Sequence, residues 1–243
     1  MSHRFDDHDE WLEADGLGGF ASGTVSGRRT RRYHALLLAA ASPPTGRIVL
    51  VNGFDAWIRV GDVSYALSSQ SYVPGVVHPD GHRRIESFEP EPWPRWTFRL
   101  ENGLVVAQEI FVPHETPAVA VRWQWVERPG DGTGEQVSLH VRPFLSGRDY
   151  HSLHHENPAF RFEAETAGER VTWSPYAGLP PVSALSDGRY RQDPLWYRNF
   201  FYAEEAARGL DSAEDLASPG GFEWNLARGD AVWLLAADGL AGS

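Results

Sequence analysis

Two short motifs bring together side chains that could recognise a ligand rich in hydroxyl groups. The first is Arg31-Arg32-Tyr33-His34 and the second is Arg148-Asp149-Tyr150-His151. Arginine and aspartate form charged hydrogen bonds to hydroxyl groups, and the aromatic rings offer flat apolar faces. Each motif adjoins an apolar stretch, since ALLLAA follows the first and VSLHVRPFL precedes the second. We therefore treat both motifs as candidate binding or domain-interface sites at the ends of buried strands.

A structural role for the same residues is the main alternative. Arg28 and Arg29 precede the first motif, and charged side chains in such loops are mostly solvated. Because the chain has 33 acidic residues, Arg31 or Arg32 could pair with a carboxylate instead of a ligand. Asp149 could likewise pair with an arginine inside the chain. The sequence leaves these alternatives open.

A glycine-rich segment from Asp15 to Gly23 invites comparison with a phosphate-binding loop. A dinucleotide-binding loop requires a buried strand before it, a helix after it and an acidic residue about 20 positions later. Here Thr24-Val25-Ser26-Gly27 and four arginines follow instead. The glycines are therefore predicted to serve tight turns or close packing.

The histidines do not predict a metal centre. His151, His154 and His155 are close in sequence, and three converging imidazoles would make a zinc site. The HExxH pattern of zinc peptidases is missing, and residues at this spacing in a strand or loop do not automatically converge. His78 and His82 flank a turn and are interpreted in the same way. We expect neither a metal nor another cofactor.

Ten tryptophans could fill a core or stack on a sugar ring. Trp123 and Trp125 are two residues apart in a predicted strand, so they share one face, and we expect both to be buried. Trp93 and Trp96 lie in a proline-rich segment and are expected to be exposed. Hydrolysis of a glycosidic bond would need two carboxylates across a cleft, and the sequence does not identify such a pair.

The elements that carry these residues are mainly antiparallel strands. Asn102-Gly103 separates the stretches RWTFRL and LVVAQEIFV, and Asn-Gly is the strongest short hairpin signal. Further hairpins are predicted around Gly61-Asp62, Ala167-Gly168 and Arg228-Gly229-Asp230. AVAVRWQWVE and QVSLHVRPFL extend the series on either side of residues 129–134, a glycine-rich segment that we expect to be a mobile tip.

Together these elements predict an all-β fold, a large antiparallel β-sandwich with one or two short helices. One helix is predicted from Ala203 to Arg208, ended by Gly209. The crossover helices that a parallel sheet requires are missing from the pattern. Residues 1–243 are expected to form a single domain, because the proline-rich segments at 89–94 and 178–181 are too short to be interdomain linkers.

Composition and charge narrow the class of protein further. The formal charge of −11 and a pI near 5.3 argue against a nucleic-acid partner. The sequence has no cysteine, which excludes disulfides and suits a reducing compartment. It has no apolar stretch of the roughly 18 residues that a membrane helix needs, and it begins with the charged segment MSHRFDDHDE. We expect no membrane partner and a cytoplasmic location.

Three segments, in order, resemble glycogen debranching enzymes of the bacterial and archaeal type. The first comprises Glu10-Trp11-Leu12, residues 16–23 and residues 31–37, with Ala35 where the family is expected to have glycine. The second is the Arg148 motif, and the third lies in blocks between Trp196 and Gly220. The resemblance covers nearly the whole chain. It implies the N-terminal domain of that family, a β-sandwich of the galactose-mutarotase-like kind (a supersandwich).

The resemblance also implies a division of labour between domains. An (α/α)6 barrel, C-terminal to the sandwich, would carry the amylo-α-1,6-glucosidase carboxylates, so no catalytic residue is expected in this chain. The chain would be a non-catalytic domain that positions α-glucan, such as glycogen or a maltooligosaccharide.

The two motifs, together with Trp196 and Tyr197, are expected to lie close together near the surface facing that barrel. An exposed apolar patch there would favour self-association of the isolated chain. Two alternatives remain open, a free-standing carbohydrate-binding module and a self-sufficient mutarotase-like carbohydrate enzyme. The first would show an exposed row of aromatic residues, and the second a pocket with converging histidine and carboxylate.

Overall fold

The computed structural model describes residues 9–127 and 136–240, which form two antiparallel sheets. Eighteen strands lie in these residues. In chain order they are β1 (Glu10–Ala14), β2 (Phe20–Thr24), β3 (Ala35–Ser42), β4 (Thr45–Val60), β5 (Val63–Ala66), β6 (Ser69–Tyr72), β7 (Val76–Asp80), β8 (Ile85–Glu89), β9 (Arg95–Arg99), β10 (Val105–Phe111), β11 (Ala118–Glu127), β12 (Val137–Asp149), β13 (Ala164–Ala167), β14 (Arg170–Trp173), β15 (Val182–Ser186), β16 (Arg189–Phe201), β17 (Ala213–Asn225) and β18 (Ala231–Ala237). A 3-10 turn spans Gly81–Arg84, and a short helix, α1, spans Ala203–Ala207.

The larger sheet contains ten strands. Its order is β1-β2-β3-β4-β12-β17-β16-β6-β7, and β5 pairs with the end of β4. The central strands β4 and β12 have 16 and 13 residues and pair with each other along most of their length. These two strands therefore carry residues from one end of the sandwich to the other.

The smaller sheet has the order β13-β14-β15-β18-β11-β10-β9-β8 and packs face to face on the larger one. Aromatic residues from both layers meet in the core between them. The rings of Phe54 and Trp123 are 5.5 Å apart, and those of Phe222 and Trp233 are 5.7 Å apart. The predicted all-β sandwich is confirmed. We call the side of the larger sheet that faces away from this core its outer face.

Three of the four predicted hairpins are confirmed, and one is wrong. β4 and β5, β9 and β10, and β13 and β14 pair around Gly61, Gly103 and Gly168, respectively. Around Gly229, however, β17 belongs to the larger sheet and β18 to the smaller. Each of these two strands has one side that faces the core, so apolar and polar residues alternate along both strands, as they would in a hairpin. Alternation therefore does not reveal that the chain crosses between the layers here.

β11 and β12 also lie in different sheets. The predicted tip between them, residues 129–134, lies outside the described residues. The predicted helix is confirmed as α1, which is followed by Gly209 with a φ of 71°. Among the described residues, no helix is long and apolar enough to span a membrane.

The predictions for the four tryptophans have different outcomes. Trp123 is fully buried and donates to Gln108 Oε1 at 2.9 Å, whereas Trp125 is only half-buried. The prediction that Trp96 is exposed is wrong, because the proline-rich loop ends before Arg95 and Trp96 already belongs to β9. It is 3% exposed, and its indole N–H donates to the Val25 carbonyl at 2.8 Å. Trp93, in the loop itself, is half-buried.

The glycine-rich segment serves close packing, as predicted. Asp15 is buried, and one of its carboxylate oxygens accepts the backbone N–H groups of Leu17 and Gly19 at 2.7 and 2.9 Å. A Cβ on Gly19 would lie 2.6 Å from the Leu38 carbonyl oxygen of the neighbouring strand β3. Glycine is therefore required here by the approach of two backbone segments.

Candidate functional site

The two arginine, tyrosine and histidine motifs lie side by side. Tyr33 Oη is 3.2 Å from His151 Nδ1, although the two residues are 118 positions apart. The ring centroids of Tyr33 and Tyr150 are 5.5 Å apart, and those of Tyr150 and His151 are 4.0 Å apart. The two tyrosines are half-buried and His151 is exposed. We call these three rings the aromatic junction.

The aromatic junction packs on residues of the larger sheet. Tyr150 packs on a small apolar cluster that includes Leu38 of β3 and Val49 of β4 and is separate from the core between the sheets. The Arg47 guanidinium lies 5.6 Å from the Tyr150 ring centroid, within the range of a cation–π interaction. Arg47 also donates to the Gly18 carbonyl at 2.7 Å, which ties the junction to the glycine-rich segment.

A buried ion pair anchors the second motif. Arg148 is 5% exposed and Glu214 of β17 is 0% exposed, and both Nε and Nη2 of Arg148 donate to the Glu214 carboxylate. Tyr202 donates to the same carboxylate, and Asn52 donates to Tyr202 Oη at 2.9 Å. A bidentate pair with further hydrogen bonds is the arrangement that compensates for burying two charges.

The same network sets the protonation states. Burial acts to lower the pKa of Arg148, but the charge of Glu214, together with the hydrogen bond to it and the neighbouring Tyr202, outweighs burial and raises the pKa above its ordinary value. Burial, together with the Glu214 charge, raises the pKa of the Tyr202 phenol well above its usual value. Both Arg148 and Tyr202 therefore stay protonated as hydrogen-bond donors near neutral pH.

Arg32 connects the two motifs. Arg148 Nη2 donates to the Arg32 carbonyl at 2.7 Å, and Arg32 Nη1 donates to the His151 carbonyl at 2.8 Å. Arg32 Nη2 lies 3.3 Å from the carboxylate of Glu205, a residue of α1 that is 1% exposed. Each motif thus bonds to the backbone of the other, so the two loops are held as one unit.

Arg31 and His34, two residues of the first motif, make stabilising contacts with other residues of the chain. Arg31 Nε pairs with Glu10 at 2.6 Å. His34 is 3% exposed, and its Nδ1 accepts the Thr30 N–H at 3.2 Å. Burial lowers the pKa of His34 to about 4, even though the Glu10 carboxylate, 3.4 Å from Nε2, acts in the opposite direction. His34 is therefore neutral at pH 7.

The alternative that the motif residues pair within the chain holds for some of them and not for others. Arg31 and Arg32 both pair with carboxylates of the chain, as the alternative predicted. Asp149 is exposed and accepts the His151 N–H at 2.8 Å. Within residues 9–127 and 136–240, Asp149 forms no ion pair. It therefore shapes the turn that presents His151, and its second carboxylate oxygen remains available.

Trp196 and Tyr197 do not share a surface. They are consecutive residues of β16 and point to opposite faces of the larger sheet. Trp196 packs on His154 and Phe160, with ring centroids 5.4 and 5.3 Å away. Tyr197 packs on Phe144, with ring centroids 4.9 Å apart, in another small apolar cluster that is separate from the core and from the cluster next to the aromatic junction. The two residues therefore cannot both contribute to one patch beside the aromatic junction.

The histidines after the second motif diverge. His154 is buried, with Nδ1 3.0 Å from the Asp215 carbonyl and Nε2 2.6 Å from Tyr176 Oη. His155 is exposed, and His151 belongs to the aromatic junction. In the part of the chain that the structure describes, no group of three or more histidine, aspartate or glutamate side chains is placed to hold a metal ion.

The exposed part of the site is aromatic and polar. The large apolar side chains that are most exposed, among them Leu12, Val63, Val76 and Leu185, belong to neither motif. The aromatic junction instead combines half-open rings with hydrogen-bonding groups of Tyr33, His151 and Asp149. This arrangement can stack on a flat ligand and bond to its hydroxyl groups.

The residues that hold the junction were not identifiable from sequence. The residues concerned are Glu214, Glu205 and Tyr202, all in the C-terminal part of the sequence. Glu214 lies 66 positions from Arg148, and Glu205 lies 173 positions from Arg32. All three fall within the span of the third family-like segment, which the resemblance marks without assigning them a role. Their pairing requires knowledge of which strands are neighbours.

Most of this chain matches a known protein family. A model of the glycogen debranching enzyme N-terminal family matches residues 9–233. The chain belongs to this family. The motifs of the aromatic junction and the supporting residues Glu205 and Glu214 all lie within the matched range. No curated protein matches the chain in sequence.

Among solved structures, a bacterial glucoamylase complexed with acarbose is similar over 99% of this chain, with a TM-score of 0.43 and 9% sequence identity. The chain spans 35% of the length of that glucoamylase.

Proposed function

We propose that this chain is the N-terminal, non-catalytic domain of a glycogen debranching enzyme and positions α-glucan for a separate (α/α)6 catalytic domain with amylo-α-1,6-glucosidase activity. Membership of the glycogen debranching enzyme N-terminal family supports the assignment. The absence of cysteine suits a reducing compartment, so we place the chain in the cytoplasm.

The aromatic junction is the observation that carries the proposal. Tyr33, Tyr150 and His151 come from two distant segments and are fixed together by the Arg148–Glu214 pair. Rigid, partly exposed rings with adjacent hydroxyl, imidazole and carboxylate groups suit a sugar chain. The same surface could also contact the catalytic domain, so that glucan is held where the two domains meet.

The buried carboxylates beneath the junction support placing the chemistry elsewhere. Glycoside hydrolysis needs one carboxyl group as acid and another as base or nucleophile, both reaching the sugar. Glu205 and Glu214 are buried and bonded to Arg32 and Arg148. Neither can approach a glycosidic bond without breaking these ion pairs.

A second candidate, a self-sufficient mutarotase-like enzyme, is favoured by a different observation. It requires a histidine and a carboxylate in one pocket, and His140 of β12 lies directly opposite Glu223 of β17 in a groove of about 440 Å³. Polarimetry of freshly dissolved α-D-glucose tests this candidate. Faster mutarotation with wild-type protein than with Glu223→Gln would support it, and equal rates would exclude it.

Titration of the chain with maltoheptaose tests the primary proposal. One or two stacked rings contribute a few kcal/mol, which corresponds to a dissociation constant of roughly millimolar order. We expect saturable chemical-shift changes by NMR up to ~10 mM ligand. A spectrum unchanged at that concentration would contradict the glucan-positioning role.

A further inference from the structure

A second site lies on the outer face of the larger sheet, away from the aromatic junction. It is a groove of about 440 Å³ between β4, β12, β17 and β16. A neighbouring depression of about 290 Å³ shares Arg59, His140 and Glu223 with it. The combined volume lies within the range of ligand sites.

One wall of the groove is an aromatic stack. Trp57 of β4 and His140 of β12 are directly opposite each other across the strand pair. Their ring centroids are 5.4 Å apart, and their planes differ by 5°. Among the described residues, the Trp57 indole N–H has no hydrogen-bond acceptor. The stack therefore offers a fixed aromatic edge with a donor that is free to bind a ligand.

The strand register places charged groups beside this stack. Glu223 of β17 lies opposite His140, and Arg189 of β16 lies opposite Glu223. Two residues further along the same face, Arg191 lies opposite Gly221. A Cβ on Gly221 would point to the Val141 carbonyl oxygen at 3.3 Å, and the missing side chain leaves the floor of the groove open.

The charges in the groove are partly unpaired. Arg142 is held by Asp193 and by Ser218 Oγ at 3.2 Å. In contrast, the guanidinium groups of Arg189 and Arg191 have neither an ion-pair partner nor a hydrogen-bond acceptor within the described parts of the chain. Both are exposed, as is Glu223. The groove thus presents donors and an acceptor that the fold does not use.

Electrostatics distinguish a neutral ligand from an anion. Burial lowers the pKa of His140, against the opposing charge of Glu223, so its ring is neutral at pH 7. A phosphate or carboxylate ligand could accept hydrogen bonds from Arg189 and Arg191 but would offer no donor to the Glu223 carboxylate beside them. A sugar hydroxyl, which both donates and accepts, suits a carboxylate and a guanidinium side by side. The Trp57 and His140 rings also supply a flat apolar surface, which suits the apolar face of a sugar ring.

We propose that this groove is a second carbohydrate site, which binds a neutral oligosaccharide between the Trp57–His140 stack and Arg189, Arg191 and Glu223. The choice of α-1,4-linked glucose as the sugar rests on the proposed function. The groove residues themselves require only a neutral, hydroxyl-rich chain. None of them belongs to the aromatic junction, so the two sites can be altered independently.

Titrations of the full chain with maltoheptaose and with cellohexaose test the proposal, followed by NMR chemical shifts. The variants are Trp57→Ala and Arg191→Ala. Their matched controls are Trp93→Ala, half-buried in the loop between β8 and β9, and Arg170→Ala, exposed on β14. Removal of one stacked ring should weaken binding about five- to tenfold in Trp57→Ala. Arg191→Ala should weaken it at least about threefold, and both controls should bind as wild type.

The outcomes separate the groove from the proposed function. Wild-type affinity in both Trp57→Ala and Arg191→Ala, while the chain still binds maltoheptaose, overturns the groove and leaves the glucan-positioning role intact. Groove-dependent binding of cellohexaose without binding of maltoheptaose supports the groove and overturns the α-glucan assignment. Folding of each variant is checked by its near-UV circular dichroism, and an equally folded Trp57→Val replaces Trp57→Ala if that variant is disordered.

Discussion

Tyr33 Oη and His151 Nδ1 are 3.2 Å apart across 118 residues of sequence, and this contact joins the β2–β3 loop to the end of β12. Both rings lie in connections between strands, residues 25–34 and 150–163, so they need constraints beyond the hydrogen bonds of the sheet. The bonds from Arg148 and Arg32 to the opposite loop's carbonyl groups supply the missing constraint. The junction is therefore preorganised, which reduces the entropic cost of binding a ligand or a domain.

Loss of the buried charge pair should destabilise the whole chain. In Glu214→Gln, Arg148 keeps a buried positive charge without its counterion, and we expect a loss of about 3–5 kcal/mol in the free energy of unfolding. Urea denaturation followed by tryptophan fluorescence measures this loss. Glu165→Gln on exposed β13 is the control and should change stability by less than about 0.5 kcal/mol. The double variant Arg148→Met with Glu214→Leu should lose less than Glu214→Gln, and a larger loss would contradict the role assigned to the charge.

The aromatic junction should contribute directly to glucan binding. Tyr33→Ala removes one of the three rings and the hydrogen bond to His151, so the dissociation constant for maltoheptaose should rise about three- to tenfold. NMR titration provides the measurement. Phe111→Ala is a matched control, because Phe111 is an exposed aromatic residue on the smaller sheet, at 43%. Equal affinities of Tyr33→Ala and wild type would show that the junction serves the fold or a domain contact instead.

Acid should destabilise the chain through His34. Its pKa is about 4 in the folded state, against the ordinary histidine value of 6.5 that applies when the chain is unfolded. Between these values the unfolded state binds more protons, so stability is fully present above pH 6.5 and is lost as the pH falls towards 4. A shift of this size corresponds to about 3 kcal/mol. His140 and His154, whose pKa values are also lowered by burial, act in the same direction.

Urea denaturation at several pH values between about 7 and about 4.5 measures the dependence. His34→Gln keeps a neutral polar side chain and should show a shallower fall in unfolding free energy than wild type. Identical slopes for the two proteins would mean that His34 is protonated without cost in the folded state.

Much of the fold was predictable because its signals are local. Gly61, Gly103 and Gly168 mark tight turns, where positive φ angles favour glycine, and the flanking strands alternate clearly. The crossing at Gly229 was not predictable, because strands of one sheet and of two facing sheets have the same alternation. Trp96 was misplaced because the proline-rich loop ends one residue before β9 begins.

The candidate site was predictable in composition but not in connectivity. The two motifs could be singled out because each places arginine, tyrosine and histidine beside an apolar strand. Their shared anchor, Glu214, is one of 33 acidic residues, and no local pattern distinguishes it. Trp57 and His140 are similarly ordinary in sequence. Only the pairing of β4 with β12 brings their rings together.

The chain alone should not release glucose from a glycogen limit dextrin. The buried carboxylates beneath the aromatic junction are bonded to arginines, and the proposed function places the catalytic pair in another domain. Incubation of purified protein with limit dextrin, with a glucose-specific coupled assay, checks this expectation. Glucose release that scales with protein concentration and is lost in Glu223→Gln would transfer the chemistry to the groove and refute the non-catalytic role.

Close packing, rather than ligand binding, should explain the glycine-rich segment, and two glycine variants separate these roles. An alanine Cβ at Gly19 would lie 2.3 Å from Asp15 Oδ2 and 2.6 Å from the Leu38 carbonyl oxygen, so the backbone must move. At Gly61, with a φ of 56°, an added Cβ meets nothing within 4 Å, and only backbone strain opposes it. Overpacking costs about 1–3 kcal/mol, and a left-handed residue with a side chain costs about 1–2 kcal/mol. We expect Gly19→Ala to lower the free energy of unfolding by more than about 2 kcal/mol, and Gly61→Ala to lower it by about 1 kcal/mol.

Denaturation in urea measures both changes in the free energy of unfolding. A Gly19→Ala variant as stable as wild type would remove the packing explanation, because the carbonyl oxygen of Leu38 belongs to a buried strand that cannot yield without cost.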